Sequence, residues 1–175
     1  MKTTREVALA MDLSLDEVIS LIVEANQRRD RRARAGAIET SSDTSSEAER
    51  LLEENFNASQ HLAVYGSLAP GRSNHHVVAP LGGEWTDGCI EGDRVAVGWG
   101  AALGFNAFRP RVGGSAVDVK VLSAATLPSA WAELDQFEGE EYQRVLVPVF
   151  SRGPRKGRRL QTVANVYAAA ATLAD

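Results

Sequence analysis

The sequence predicts an α+β fold: a small, mixed, barrel-like β-sheet with one internal helix, preceded by an N-terminal helical arm. Three observations carry that prediction. From His61 onward, short apolar runs recur between Gly and Pro residues, the signature of many short strands. One helical period interrupts them, between Pro128 and Glu138. The N-terminal third reads differently, as helical spacing followed by a polar, Ser/Thr-rich stretch. The boundary is placed accordingly, with residues 1–58 a helical extension with a polar linker and residues 59–175 the strand-rich domain.

In the extension, Ser14-Leu15-Asp16-Glu17 is a capping box, Ser as N-cap and Glu three positions later. Leu15, Val18, Ile19 and Ile22 follow at helical spacing and predict a helix from about Leu15 to Arg34. Thr3 to Met11 is a shorter candidate helix. Together the two resemble a helix-turn-helix only faintly. The turn near Asp12-Leu13 lacks glycine, and the second helix opens acidic and apolar, which favours a packing or self-association arm over a DNA reader. Gly36 ends the helix, and Ile38 to Ser46 reads as linker. Ser46-Glu47-Ala48-Glu49 repeats the capping pattern for a helix to about Asn57, with Leu51, Leu52 and Phe56 as its docking side.

In the second domain, Leu62 to Val64 form a β-prone run that Tyr65 extends, Gly66 breaks and Pro70-Gly71 turns. Val77-Val78-Ala79 and Leu81 to Trp85 are further short runs. Cys89 to Trp99 reads as a strand with bends or bulges at Gly92 and Gly98, and Ala101 to Arg111 as irregular. Ala116 to Val121 alternate strictly, a half-buried strand. Pro128 opens a helix that Gly139 stops, and strands at Tyr142 to Ser151 and Leu160 to Ala168 close the chain. The basic run Arg152 to Arg159 between them is most simply a solvated hairpin loop, with phosphate binding the alternative.

Composition excludes several classes. The net charge is −4, with eight Lys/Arg against twelve Asp/Glu in residues 1–60 and eleven of each thereafter, so neither half is a basic nucleic-acid binder. No apolar run approaches the roughly 18 residues of a membrane span, and no signal-peptide core opens the chain. A single cysteine, Cys89, rules out an intrachain disulfide and fits a reducing cytoplasm. With no nearby His as base, it reads as a small strand residue rather than a nucleophile. His75 and His76 are adjacent and point apart in regular structure; with His61 they have no metal-ligand spacing, so surface or loop roles are expected and no metal is assigned.

Two stretches carry chemistry. A strand ending in a small-residue turn, as at Tyr65-Gly66-Ser67-Leu68, leaves N–H groups without ladder partners; they can converge on an anion, or simply mark an ordinary strand exit. Leu127, Trp131, Leu134 and Glu138 fall at i, i+4, i+7 and i+11, one helix face that is apolar up to its last member. A carboxylate carried there toward the core, in the last helical turn, has a raised pKa from lost hydration and from the helix dipole. Exposure to solvent or pairing with Arg144 are the other placements the spacing allows.

Val64-Tyr65-Gly66-Ser67-Leu68, followed by Leu134-Asp135-Gln136-Phe137-Glu138-Gly139 with Tyr142-Gln143-Arg144 shortly after, resembles the γ-glutamylcyclotransferase-like family. Pro70-Gly71, Asn74-His75, the strand around Gly114 to Val121 and Ala164-Asn165-Val166-Tyr167 stand in the order expected of it, over about residues 61–168. The resemblance implies an enzyme that cyclises a small γ-glutamyl compound to 5-oxoproline and releases an amine or amino acid, without metal or cofactor. It places the catalytic carboxylate on Glu138 and the substrate-cradling loop on Tyr65, Gly66, Ser67 and Leu68; beside it, the residues themselves allow Tyr142 to line the pocket and Arg144 to brace Glu138 or a nearby loop. The long N-terminal extension leaves a second reading open: a ligand-binding or regulatory module without turnover, whose N-terminal helices hold a partner.

Overall fold

A computed structural model describes residues 13–35, 47–95 and 107–170. The chain divides into two compact units, Met1–Ala58 and Ser59–Asp175. The first contains α1 (Leu15–Ala35) and α2 (Glu47–Phe56), which pack on each other. The Ser14 hydroxyl accepts from the Glu17 N–H and donates to the Glu17 carboxylate, so Ser14 caps α1 as its N-cap. Val18, Ile22 and Ala25 of α1 are buried, as are Ala48 and Leu52 of α2, and Arg29 pairs with Glu49 at 3.0 Å. Asn57 (φ 51°) takes the left-handed conformation that closes α2. The expected helix at Thr3 to Met11, the stop at Gly36, the linker at Ile38 to Ser46 and the bend at Gly98 lie outside the described residues.

The second unit is built on six strands: β1 (His61–Val64), β2 (Glu84–Val95), β3 (Ala107–Pro110), β4 (Ser115–Ser123), β5 (Tyr142–Phe150) and β6 (Leu160–Ala169). Their order is β3-β2-β4-β1-β6-β5, and a β2–β5 pairing at Cys89↔Phe150 closes five of them into a barrel with β3 outside the ring. All pairings are antiparallel except β1–β6, which is parallel, so the sheet is mixed as expected. The strict alternation of β4 appears as buried Val117, Val119 and Val121 inside the barrel, where they meet Ala63, Ile90, Phe108, Val147, Val149, Ala164 and Val166. On the outer face α3 (Leu127–Glu138) lies over Leu62, Val64, Leu122 and Tyr167, contributing Leu127, Ala130, Trp131 and Leu134. Each of the leucines stabilises the fold by about 1.5–3 kcal/mol on burial.

Three local readings are corrected. Val77 to Ala79 is no strand; it lies in two short 3-10 turns, His75–Val77 and Ala79–Leu81, because Val78 adopts a helical backbone just ahead of Pro80. Residues 107–110 are not irregular but form β3, paired with β2 from Val95↔Ala107 to Gly92↔Pro110 and followed by a bond from the Arg111 N–H to the Glu91 carbonyl. Gly92 is neither bend nor bulge. The β2–β4 register runs unshifted from Glu84↔Ser123 to Gly92↔Ser115, and the glycine is there because a Cβ would stand 2.3 Å from the Arg109 carbonyl and 2.5 Å from the Phe108 ring.

Candidate active site

β1 is the centre of the site because it runs between β4 and β6 and ends at the mouth of the barrel. Alternation turns Leu62 and Val64 toward α3, and Ala63 and Tyr65 toward the barrel interior. The Tyr65 hydroxyl donates to the Tyr167 carbonyl at 2.7 Å and accepts from the Phe108 N–H at 3.1 Å, fixing the phenol across the mouth. Burial, then the negative potential of Tyr142 and Glu138, pushes this phenol far upward, so it stays protonated.

Beyond Tyr65 the chain leaves the sheet. Leu68 is buried under α3 and anchors the loop. The Asn74 N–H donates to the Ser67 carbonyl (2.9 Å), its amide Nδ2 to the Ser67 hydroxyl (2.9 Å), and the Leu68 carbonyl accepts from His75 Nδ1 (3.0 Å). His75 in turn rests against Trp85, with ring centroids 5.5 Å apart. These bonds occupy the loop's carbonyls. The N–H groups of Gly66, Ser67 and Leu68 have no acceptor among the described residues.

The opposite wall comes from the end of α3. Gly139 (φ 81°) stops the helix, its N–H on the Asp135 carbonyl at 3.1 Å. Burial of Leu127, Trp131 and Leu134 carries Glu138 inward on the same face, half-buried and without hydrogen bond or ion pair among the described residues. Burial alone raises its pKa, to about 7. Arg144 does not brace it. The guanidinium pairs instead with Asp135, Nε at 2.9 Å from Oδ1, and lies 4.4 Å above the Trp131 ring. Asp135 also accepts from the Tyr167 hydroxyl at 2.7 Å, which ties the last turn of α3 to β5 and β6. Asp135→Ala is expected to lower the unfolding free energy by about 1–3 kcal/mol, read in a urea melt, because it strips a charged acceptor from both partners. Asp135→Asn, which keeps one carbonyl acceptor, should recover part of the loss.

Loop and helix end face one cleft of about 690 Å³. Glu138, Tyr65, Gly66, Ser67, Leu68 and Tyr142 all line it. The Glu138 charge reaches the phenols of Tyr65, Tyr142 and Tyr167 and adds to the burial that raises them. The wall also contains Arg72, Asn74, Arg94 and Tyr167, which sequence reasoning left without a role there. For Arg94 a signal existed, since it follows Ile90 and Gly92 at the strand period, but reading Gly92 as a bend concealed it. Cys89 is away from the cleft: it is buried in β2 against the Ser151 carbonyl, and burial pushes its thiol upward, which suits packing rather than attack. Arg152 and Arg158 are structural, holding the Gly88 and Val119 carbonyls and Glu91 respectively. Among the described residues, no three His, Cys, Asp or Glu side chains are grouped to hold a metal ion, and no helix is long and apolar enough to cross a membrane.

Comparison with solved structures finds an AIG2-like protein from Mus musculus at 22% identity and TM-score 0.49, over 63% of this chain and 77% of that one. YkqA from Bacillus subtilis aligns at 22% identity and TM-score 0.44, covering 63% of this chain but only 35% of its own. An uncharacterised protein from Pyrococcus horikoshii aligns at 16% identity and TM-score 0.43, over 62% and 76%. No curated protein sequence matches significantly. The family model described as gamma-glutamyl cyclotransferase, AIG2-like, matches residues 62–174, a span that opens on β1 and contains both walls of the cleft. By that match, over more than half of its length, the chain belongs to the AIG2-like gamma-glutamyl cyclotransferase family.

Proposed function

We propose that the barrel domain is a cofactor-independent γ-glutamylcyclotransferase, with Glu138 as general acid and base and the Tyr65–Leu68 loop as the cradle for its substrate. The observation that carries this reading is the pairing of an unpartnered carboxyl, held near pKa 7 by burial, with unpartnered N–H groups on the facing loop of one cleft. A volume of about 690 Å³ lies within the usual range for a small-molecule site and accommodates a γ-glutamyl dipeptide.

The substrate arrives with a protonated α-amine, which cannot attack. Glu138 as carboxylate accepts one of its protons. The freed amine nitrogen bonds to the γ-carbonyl carbon and closes a five-membered ring; holding the glutamyl chain folded supplies the orientation. The carbonyl oxygen gains charge in the tetrahedral intermediate and is stabilised by N–H groups of Gly66, Ser67 or Leu68, with the others available to the α-carboxylate. Glu138, now protonated, gives its proton to the departing nitrogen as the old C–N bond breaks. The ring nitrogen gives up its remaining extra proton to the regenerated Glu138 carboxylate, which passes it to the released amine; two protons thus move from one nitrogen to the other, no water is consumed, and 5-oxoproline and an ammonium leave. Tyr142, protonated at working pH, lines the cleft as a donor, while Tyr65, its own proton held by the Tyr167 carbonyl, lines it with its ring. The solitary, buried thiol of Cys89 supports a reducing, cytoplasmic setting.

Incubation with γ-glutamyl peptides and γ-glutamyl amines, followed by chromatographic detection of 5-oxoproline, tests the proposal. Release of 5-oxoproline with equimolar amine is expected; its absence across both groups of compounds overturns the reading.

A further inference from the structure

Resting on that reading, we infer that Arg72 and Arg94 form an anion subsite for the leaving half of the substrate, so that the released amine bears a carboxylate. Both side chains line the cleft, and both are exposed. Neither makes an ion pair or a side-chain hydrogen bond among the described residues. Other arginines of this domain do: Arg111 faces Asp93, Arg144 faces Asp135, Arg152 faces Asp87 and Arg158 faces Glu91. Two uncompensated positive charges on one concave wall repel each other and attract an anion.

Their place within the cleft says which anion. Arg94 follows Ile90 and Gly92 on the inward face of β2, opposite Phe108 in the register, and so stands at the barrel mouth beside Tyr65. Its charge acts on the Tyr65 phenol, whereas no cation offsets the burial of Glu138. Arg94 therefore stands on the Tyr65 side of the cleft, and Arg72 lines it from the loop that follows Leu68. The glutamyl half has its own anion acceptors in the Gly66–Leu68 N–H groups, which leaves the guanidinium groups for what extends beyond the scissile bond. A planar guanidinium matches a carboxylate through two parallel hydrogen bonds, and it repels a leaving group that ends in an ammonium. The favoured substrates are γ-glutamyl amino acids or peptides, with a free carboxylate on the departing side, over uncharged or cationic γ-glutamyl amines.

γ-Glutamyl-alanine and γ-glutamyl-ethylamide differ by that one carboxylate and make the test. The full chain should process the alanine compound with a kcat/KM about 10–100-fold higher, mostly through KM, as expected for charge-assisted hydrogen bonds. Arg94→Gln and Arg72→Gln should each bring the ratio between the two substrates toward one, while Arg94→Lys should restore part of it. Equal turnover of both by the unaltered protein overturns the subsite and leaves the cyclotransferase reading standing. A parallel loss on both compounds also overturns it, by assigning the arginines to the glutamyl α-carboxylate. If neither compound yields 5-oxoproline, the cyclotransferase reading fails for these substrates. Calorimetry of the two compounds with the unaltered protein then decides the subsite on its own: tighter binding of the alanine compound that weakens in Arg94→Gln supports it, and equal or absent binding overturns it.

Discussion

Glu138→Gln is expected to lower kcat for 5-oxoproline release by about 10²–10⁴-fold, the usual contribution of a positioned general acid–base group, with KM changed only a few-fold. The substitution is nearly isosteric and keeps the end of α3 in place against Leu134 and Trp131. What it removes is the ability to accept the ammonium proton and return it to the departing nitrogen. Glu138→Asp separates position from chemistry: it retains the carboxyl but withdraws it by one methylene, so an intermediate loss is expected. Steady-state kinetics with a chromatographic assay measure all three proteins. Full turnover by Glu138→Gln would falsify the mechanism, whatever the substrate.

The second large effect is an opposition between activity and stability along the pH axis. Burial lifts the Glu138 carboxyl from 4.5 to about 7 in the folded protein. Only the deprotonated form accepts the ammonium proton, so kcat/KM should fall about tenfold per pH unit below pH 7 and level off above it, until the substrate's own ammonium titrates. Stability moves the other way. A group whose folded pKa lies above its unfolded value binds its proton more tightly when folded. Its stabilisation is therefore complete below the unfolded pKa of 4.5 and is lost as pH rises through about 7. Glu138→Gln carries no charge and escapes that loss. Discounted for partial exposure, it should exceed the unaltered protein by about 1–3 kcal/mol near pH 8 and match it near pH 4. Thermal melts at the two pH values measure the difference; the same offset at both would mean that the effect is packing and not charge.

Helical spacing, a local code, put Glu138 on the apolar face of α3 in advance, while leaving open whether it turned inward, faced solvent or paired with Arg144. Four residues at i, i+4, i+7 and i+11 fix a shared face whatever the rest of the chain does, and the burial of the first three carries the fourth inward. The alternation of β4, the Ser14 N-cap of α1 and the stop at Gly139 are local in the same sense. The tie that holds the Tyr65 phenol was not legible, since the hydroxyl meets the Tyr167 carbonyl 102 positions away. Arg144 could be seen to need a carboxylate, yet Asp135 and Glu138 sit three residues apart on one helix, and only the place of β5 beside that helix chose Asp135.

By itself the sequence determined α1, α3, β1 and β4 and the faces of α3 and β4, because propensity, capping and periodicity act within a few residues, but it missed β3 and the 3-10 turns from His75 to Leu81. The tertiary structure alone decided the parallel placement of β1 beside β6, the closure of the barrel between Cys89 and Phe150, and the convergence of Arg72 and Arg94 on the cleft of Glu138. Those depend on strand order and register, which are set by burial of both faces of the sheet at once and leave no periodic trace in any one segment.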